Sequence, residues 1–249
     1  MENQNPYPRE LIERMNSFQW YQTIDLENGL VTPGQYDHRP LLKHYGIPQD
    51  LSGKTVLDIG ACHGFFSFEF ERRGAKRVVA TELPFWSDHD GSPGLKRSFG
   101  ENRTDEKMAP YLHGAFDFAR KLLDSKVELV KMNIYDISPK TLGIFDIVFC
   151  GSLLIHLTDP LKALYALQSV TREFFILSTV THPKNSRKPL AYFHGTVEGM
   201  AFWAPNMACL EKMCLAAGFK RTKRISTFTL SSKDKKFKSP HGVVHAWNV

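Results

Sequence analysis

The chain has 249 residues, of which 42% are hydrophobic and 23% charged, and it carries a formal net charge of +6. These proportions are ordinary for a globular protein and exclude a disordered chain, a fibrous repeat and a disulfide-stapled miniprotein. The cysteines form no Cys-x-x-Cys pair and are expected to be reduced. Because the sequence shows neither a secretory signal nor an apolar run of the ~20 residues that a membrane helix needs, we expect a cytoplasmic protein with no membrane partner.

The N-terminal part of the chain predicts a short helix followed by an aromatic loop. Residues 8–18 place apolar side chains at helical spacing. Residues 20–39, here called the lid segment, contain Trp20, Tyr21 and Tyr36 between glycine and proline breakers. Such a segment either packs over the core or closes over a ligand, and the sequence leaves both open. We therefore divide the chain into an N-terminal helix and lid segment, residues 1–50, and a main domain, residues 51–249.

From residue 55 onward, strands and helices alternate. Apolar runs predict strands at 55–59, 77–81, 127–132, 145–150 and 174–179, and two more from 219 and at 242–247. Helical spacing predicts helices at 65–73, 160–171 and 206–217, with Asp159 as the N-cap of the second. The alternation predicts an α/β fold, a mostly parallel sheet with helices on both faces. Two long stretches, 83–107 and 181–204, follow strand ends at the edge where such sheets bind ligands.

The most informative segment is VLDIGACHGFF, residues 56–66, in which a strand containing Asp58 leads through Gly60 and Gly64 into a helix. Glycines let a ligand approach the backbone, and the helix N-terminus offers unpaired N–H groups. The spacing differs from the Gly-x-Gly-x-x-Gly of dinucleotide sites, and the Asp58 carboxylate would repel a diphosphate. That carboxylate suits a ligand with an ammonium group, such as S-adenosylmethionine (SAM), and disfavours a nicotinamide dehydrogenase.

Other strand ends carry residues that suit the same ligand. Glu82, after the second strand, is placed to accept hydrogen bonds from both ribose hydroxyls. After the third strand, Asn133 could meet the adenine amino edge while Ile134 packs on the ring. After the fourth, Gly151 and Ser152 open the sheet edge where the sulfonium should lie. Together these features predict SAM as the cofactor.

The segments VLDIGACHGFFSFEFERRGAKRVVATE and FDIVFCGSLLIHLTDPLKAL resemble the class I SAM-dependent methyltransferases. The opening WYQTIDLENGLVTPGQYDHRP and the late PNMACLEKMCLAAGF are similar to the tRNA wobble-uridine 5-oxyacetate (mo5U) methyltransferase-like family. This resemblance implies a Rossmann-like fold of seven strands, the last antiparallel to the rest. It implies SAM contacts at Asp58, Gly60, Ala61, Glu82, Asn133, Ile134 and Gly151. To these we add Cys62 and Gly64 of the same turn and Tyr36 of the lid segment.

Two departures from the family pattern concern the acceptor and the form of the cofactor. Cys62 replaces the middle glycine of the usual turn, and Cys62-His63 stands where many relatives have Trp-Asp. The resemblance implies that the tRNA enzyme uses a carboxylated SAM held by basic residues of the lid. Because no lysine or arginine lies between Trp20 and Asp37, we predict ordinary SAM here.

Methyl transfer to a hydroxyl requires removal of a proton, and two histidines are candidates for the base. His156 follows the fourth strand and either acts as the base or only orders the loop before Pro160. His63 lies on the cofactor turn and could face the acceptor. His182, His194 and Trp203 are expected near the acceptor pocket. Metal binding is not predicted, because the neighbouring side chains of Asp88-His89-Asp90 point in opposite directions on an extended loop.

The predicted function is methyl transfer from SAM to an oxygen or nitrogen of a small molecule. One alternative is a tRNA modification methyltransferase that docks RNA on residues 220–238, where eight basic residues face one acidic residue, Asp234. That stretch is equally explained as a solvated turn between two late strands. A second alternative is a non-catalytic SAM-binding protein.

Overall fold

The computed structural model describes residues 7–26, 28–100, 103–182, 186–196 and 198–249. Its strands, in chain order, are β1 (Thr55–Ile59), β2 (Arg77–Glu82), β3 (Glu128–Lys131), β4 (Phe145–Gly151), β5 (Thr171–Val180), β6 (Ala191–Phe193), β7 (Trp203–Pro205), β8 (Arg221–Ser231) and β9 (Lys238–Trp247). Its α-helices are α1 (Arg9–Asn16), α2 (Phe65–Arg72), α3 (Pro93–Ser98), α4 (Asp105–Ala109), α5 (Ala115–Leu122), α6 (Pro160–Ser169) and α7 (Met207–Ala216).

A seven-stranded sheet in the order β3-β2-β1-β4-β5-β9-β8 forms the centre of the fold. The pairs from β3 to β5 are parallel, whereas β9 is antiparallel to both β5 and β8. The last strand is therefore antiparallel to the rest, and the predicted seven-stranded α/β fold is confirmed. Parallel strands joined by crossovers place the carboxyl ends of β1 to β5 at one edge of the sheet, and this edge carries the candidate site.

Helices cover both faces of the sheet because alternate side chains of its central strands point to opposite sides. On β1, Val56 belongs to one hydrophobic cluster and Leu57 to the other. On β4, Phe149 belongs to the first of these clusters and Val148 to the second. The first cluster is completed by α2 and α5, the second by α6 and α7. The core therefore has two layers separated by the sheet.

Two helix starts agree with the signals in the sequence. Asp159 Oδ1 accepts a hydrogen bond from Lys162 N–H (2.9 Å) ahead of α6, which has Pro160 in its first turn. Asn206 Oδ1 accepts from Cys209 N–H (2.9 Å) ahead of α7. These caps satisfy backbone donors that the first turn of a helix leaves unpaired.

The N-terminal part of the chain packs into the first hydrophobic cluster. Trp20, Ile24 and Leu30 of the lid segment are buried there with Met15 of α1. Trp20 Nε1–H also donates to the Met15 carbonyl (2.8 Å). The lid segment is thus part of the core, and the division of the chain at residue 50 stays a prediction.

The two long stretches contain short elements that the sequence analysis did not predict. Residues 83–107 include a 3-10 turn, Trp86–Asp88, then α3 and the start of α4. A π-helical turn, Pro110–Gly114, leads from α4 into α5, which no predicted element covers. In the second stretch, β6 and β7 form a separate antiparallel pair. Within the described residues, no helix is both long and apolar enough to cross a bilayer.

Candidate cofactor and acceptor site

The turn after β1 uses three left-handed backbone conformations. The φ angles are +63° at Gly60, +54° at Cys62 and +93° at Gly64. A Cβ atom at Gly64 would lie 2.6 Å from the Phe68 ring and 2.8 Å from the Phe116 ring, so only glycine fits there. A side chain at the Cys62 conformation costs ~1–2 kcal/mol. This explains physically why glycine is the usual residue at that position in the family the sequence resembles.

The lid segment holds this turn in place. Gln22 Oε1 accepts from Phe65 N–H (3.1 Å) and so caps α2, whose own N-cap residue is a glycine. The Tyr21 N–H donates to His63 Nδ1 (2.9 Å). These contacts join residues more than 40 positions apart in the sequence, and no local signal in the sequence predicted them.

A first cleft of about 530 Å³ lies over the ends of β1, β2 and β3. Among its lining residues are five predicted site residues, Gly60, Glu82, Asn133, Ile134 and His156. Glu82 is fixed there because its carboxylate accepts from Cys62 N–H (3.0 Å) and Leu83 N–H (2.9 Å). Burial raises the pKa of this carboxyl above its usual range. Asn133 Oδ1 accepts from Tyr135 N–H (3.1 Å), which fixes its amide in the cleft.

Asp90 ties three loops together beside the first cleft, a role that the sequence analysis missed. Its carboxylate accepts from the Tyr135 hydroxyl (2.7 Å) after β3 and from Thr158 N–H (2.6 Å) and Thr158 Oγ1–H (2.8 Å) after β4. Asp88, His89 and Asp90 all line the cleft. Within the ranges that the structure describes, no three His, Cys, Asp or Glu side chains form a cluster able to hold a metal ion.

A second cleft of about 330 Å³ continues from the first, with Gly60 lining both. Three predicted residues, Asp58, Ala61 and Gly151, line it together with Ser152. Its other side includes residues of the N-terminal part of the chain that the sequence analysis did not assign to the site, namely Tyr21, Gln22, His38 and Tyr45. The lid segment therefore covers the site as well as packing the core.

Asp58 is the most unusual group in the second cleft. It is 1% exposed, and its Oδ2 accepts a hydrogen bond from the Ser67 hydroxyl (2.5 Å). Burial, opposed by the Ser67 hydroxyl and reinforced by nearby Glu82, raises the pKa of Asp58 to about 7. Among the described residues, no lysine or arginine lines either cleft. One buried and one partly exposed carboxyl group, without a cation among the described lining residues, make the pair of clefts suited to a positively charged ligand.

The other residues predicted to bind the cofactor lie around the clefts rather than among their lining residues. Cys62 contributes its backbone N–H to Glu82, and Gly64 forms the N-cap position of α2. Tyr36 packs on Tyr21, with ring centroids 4.8 Å apart. Their roles in cofactor binding stay predictions.

His63 lines neither of the two clefts. It has no exposed surface and packs edge-on against Trp20 at 5.4 Å. Its Nδ1 accepts from Tyr21 N–H, so Nε2 carries the proton and donates to the Tyr111 carbonyl (3.2 Å). Burial lowers the pKa of this imidazole to about 4. Both ring nitrogens hold other segments in place, which favours a structural role over the predicted catalytic one.

His156 lines the first cleft from the 3-10 turn Leu154–His156. Its Nδ1 is buried without a hydrogen-bond partner among the described residues, as is Nδ1 of His89. Burial, with a contribution from His89, lowers the pKa of His156 to about 4. The ring is therefore neutral at pH 7, and its catalytic role stays a prediction.

The three residues expected near the acceptor line neither of the two clefts. Trp203 lines a separate apolar cavity of about 760 Å³, and its Nε1–H donates to the Leu157 carbonyl (3.0 Å). His182 stacks on Tyr192 at 4.0 Å, and His194 is exposed. Their proximity in the sequence to the end of β5 did not place them in either cleft.

The sheet order and the antiparallel last strand define the class I methyltransferase fold. The N-terminal domain of EvdMO1, crystallised in the presence of SAH and D-fucose, has a TM-score of 0.62 to this chain. It is 19% identical in sequence, and the match covers 96% of both chains. The Burkholderia thailandensis 1,6-didemethyltoxoflavin-N1-methyltransferase, with bound 1,6-didemethyltoxoflavin and S-adenosylhomocysteine (SAH), has a TM-score of 0.50 at 14% identity. The match covers 80% of this chain and 72% of the Burkholderia enzyme's chain. At these identities the likeness shows the fold alone.

Curated relatives support the resemblance read from the motifs. A tRNA U34 carboxymethyltransferase of Helicobacter pylori strain G27 is 24% identical over 192 residues, which are 75% of this chain and 64% of the relative. The enzyme of the same name from Campylobacter hominis is 32% identical over 123 residues, 48% of this chain and 33% of its own length. The matches thus span less than two thirds of these relatives. No family model matches the chain.

Proposed function

We propose that the chain is a SAM-dependent methyltransferase whose cofactor extends across both clefts. The observation that carries this proposal is the pair of carboxyl groups, the buried Asp58 and the partly exposed Glu82, in clefts that no lysine or arginine lines among the described residues. Glu82 would accept hydrogen bonds from the ribose hydroxyls, and Asp58 would pair with the ammonium group of the methionine part of SAM. Asn133 and Ile134 would hold the adenine.

The bound cofactor would supply a methyl group activated by the sulfonium, and the chain would align the acceptor and exclude water. Ordinary SAM fits these clefts better than its carboxylated form. An additional carboxylate would enter an environment that contains Asp58 and Glu82 and has no cation among its described lining residues. This supports the prediction made from the lid segment.

We propose a small-molecule acceptor. The lid segment covers the second cleft, to which it contributes Tyr21, Gln22 and His38, and this enclosure favours a small acceptor over a folded RNA. Two structural neighbours also have small molecules in their names, 1,6-didemethyltoxoflavin in one and D-fucose in the other. The cytoplasmic location expected from the sequence stays a prediction.

A tRNA modification enzyme is the second candidate, because the curated relatives are named for tRNA U34. Lys220 directly precedes β8, and the other basic residues of the stretch 220–238 lie on β8, on β9 and in the connecting turn. Several have partners: Arg224 pairs with Glu211 (2.7 Å), Lys236 with Asp234 (3.7 Å), and Arg221 lies over the Trp247 ring. Lysines on an edge strand also prevent pairing with other sheets, which explains part of this charge without RNA.

A labelling experiment separates these functions. The purified protein is incubated with a cell extract divided into small-molecule and RNA fractions, with tritium in the methyl group of SAM or in the carboxymethyl group of its carboxylated form. We expect transfer from SAM into the small-molecule fraction. Label in the RNA fraction would favour the second candidate, and transfer from the carboxylated donor would contradict our choice of cofactor. SAH binding without any transfer would indicate a non-catalytic protein.

A further inference from the structure

Ser152 occupies a strained position at the end of β4. It is a non-glycine residue with a φ of +57°, a conformation that costs ~1–2 kcal/mol and persists only where the surroundings impose it. Its N–H donates to the Ser178 carbonyl on β5 (2.7 Å), and its side chain lines the second cleft beside Gly151. The backbone is thus held so that this hydroxyl is at the candidate site.

The Ser152 hydroxyl is hydrogen-bonded to a buried histidine on β9. Ser152 Oγ lies 3.1 Å from Nε2 of His241, whose Nδ1 lies 3.1 Å from the Ser239 carbonyl oxygen. A carbonyl oxygen can only accept, so Nδ1 carries the ring proton and Nε2 is the acceptor. The Ser152 O–H therefore donates to Nε2. This series of carbonyl, imidazole and hydroxyl increases the basicity of the serine oxygen.

The pair lies on the side of the proposed methionine that is opposite to the ribose. Along the sheet edge, Glu82 belongs to β2, Asp58 to β1 and Ser152 to the end of β4, and His241 extends from β9 beyond β5. With the ribose at Glu82 and the ammonium group at Asp58, as proposed, Ser152 lies beyond Asp58 on the β4 side, where an acceptor would approach the methyl group.

The surroundings of the pair are polar but contain no cation. His38 Nδ1 lies 2.9 Å from the Tyr45 hydroxyl, and both residues line the second cleft. His38 and Tyr45 are the titratable groups of the N-terminal part that face His241. The rings of Tyr45 and His241 both pack against the ring of Phe228. Burial lowers the pKa of His241 and lowers that of His38 to about 3, so both rings are neutral at pH 7.

We propose that Ser152 and His241 form a proton relay for an acceptor with a neutral hydroxyl group, an alcohol or a phenol. The inference rests on the proposed function. The acceptor oxygen forms a bond to the methyl carbon as the carbon–sulfur bond breaks, and the sulfur keeps that electron pair, giving SAH. The acceptor proton passes to Ser152 Oγ, and the Ser152 proton passes to His241 Nε2. The resulting imidazolium is stabilised through Nδ1–H by the Ser239 carbonyl and later releases its proton to solvent.

This chemistry selects the class of acceptor. A carboxylate acceptor has no proton to lose at pH 7, so a relay would add nothing to its methylation. A phosphorylated acceptor would find no lysine or arginine among the described lining residues of the cleft. A neutral alcohol or phenol both needs a base and is compatible with this environment.

Three variants test the relay: Ser152→Ala, His241→Gln and the control His245→Gln. His245 is a second buried histidine of β9, whose Nε2 contacts the Tyr45 carbonyl (2.9 Å) away from Ser152. SAH affinity is measured by calorimetry, and transfer rates are measured with the labelled small-molecule fraction from pH 5 to pH 9. Histidine NMR of the SAH complex reports the tautomer of His241.

We expect Ser152→Ala and His241→Gln to slow transfer by about 10²-fold or more, with SAH affinity within about twofold of the native value. At saturating SAM, so that the titration of Asp58 does not enter through affinity, the native rate should fall as the pH drops through the lowered pKa of His241, and His241→Gln should remove this dependence. His245→Gln should leave the rate within about twofold. A native rate in Ser152→Ala, or an Nε2–H tautomer of His241 in the SAH complex, would overturn the relay. Failure of the native protein to bind SAH would instead overturn the proposed function, and the relay with it.

Discussion

The Asp58→Asn protein should bind SAM about 10²- to 10³-fold more weakly than the native chain. Removing one partner of a buried charge pair costs ~2–5 kcal/mol of binding free energy, because the remaining charge has no counterpart in a desolvated site. Asparagine keeps the size of the side chain and its acceptor for the Ser67 hydroxyl. The change therefore removes the charge and little else. Calorimetric titration with SAM measures the effect.

The pH dependence of SAM affinity gives the same prediction a second readout. With a pKa of about 7, raised by burial from the ordinary ~3.9, Asp58 is largely protonated below pH 7 in the unliganded protein. Pairing with an ammonium group requires the ionised form, so binding releases a proton and affinity should rise as the pH increases from 6 to 8. Asp58→Asn should remove this rise. A flat profile in the native protein would contradict the pairing.

Stability measurements distinguish lost binding from a lost fold. The raised pKa means that burial of Asp58 lowers the stability of the folded state by up to about 4 kcal/mol, a loss that is absent below pH ~4, develops between pH ~4 and 7, and is complete above that. Asp58→Asn should therefore be at least as stable as the native chain at pH 8. As a control, Asp146 is buried at the opposite end of β4 and contacts Thr55 and Arg172. Asp146→Asn should lower stability and leave SAM affinity unchanged.

His63→Ala should lower the free energy of unfolding by about 3 kcal/mol or more. The substitution leaves the Tyr21 N–H and the Tyr111 carbonyl without their partner, at ~1–3 kcal/mol for each buried group, and opens a cavity beside Trp20. Urea denaturation measures the change. His194→Ala, at an exposed histidine, is the matched control and should stay within about 0.5 kcal/mol of the native value.

The same variant tests the catalytic role first predicted for His63. If the unfolding free energy is unchanged while methyl transfer is lost at unaltered SAH affinity, the structural role is wrong and the catalytic one is restored. Transfer that falls only in proportion to the fraction of folded protein would support the structural role.

The strands and the residues at their ends could be predicted because their signals are local. The apolar run of β1 and the glycines after it specify the position of Asp58 and of the turn within a dozen residues of sequence. The ends of β2 and β3 follow from similar runs, which is why Glu82, Asn133 and Ile134 are found in the first cleft. Where strands are parallel and connected by helices, the fold itself brings these ends together.

The rest of the site depends on contacts between distant parts of the chain. Ser152 and His241 are 89 positions apart, and Gln22 caps a helix 43 positions away. His63 lies in the glycine turn of the sequence, which suggested a place in the cleft, but it is not among the lining residues of either cleft. Cys62 has a left-handed backbone conformation, and the ring of the following residue, His63, packs against Trp20. The short elements between 83 and 122 were missed because tertiary contacts, such as those of Asp90, stabilise them.

A crystal structure of the protein with SAH, which shares the nucleoside and the ammonium group of SAM, is the most direct test of the central claim, that the cofactor extends across the two clefts. We expect the ribose hydroxyls within hydrogen-bond distance of Glu82 and the ammonium group within hydrogen-bond distance of Asp58. Empty clefts at saturating SAH, or a dinucleotide bound there with its pyrophosphate on the turn after β1, would contradict the account.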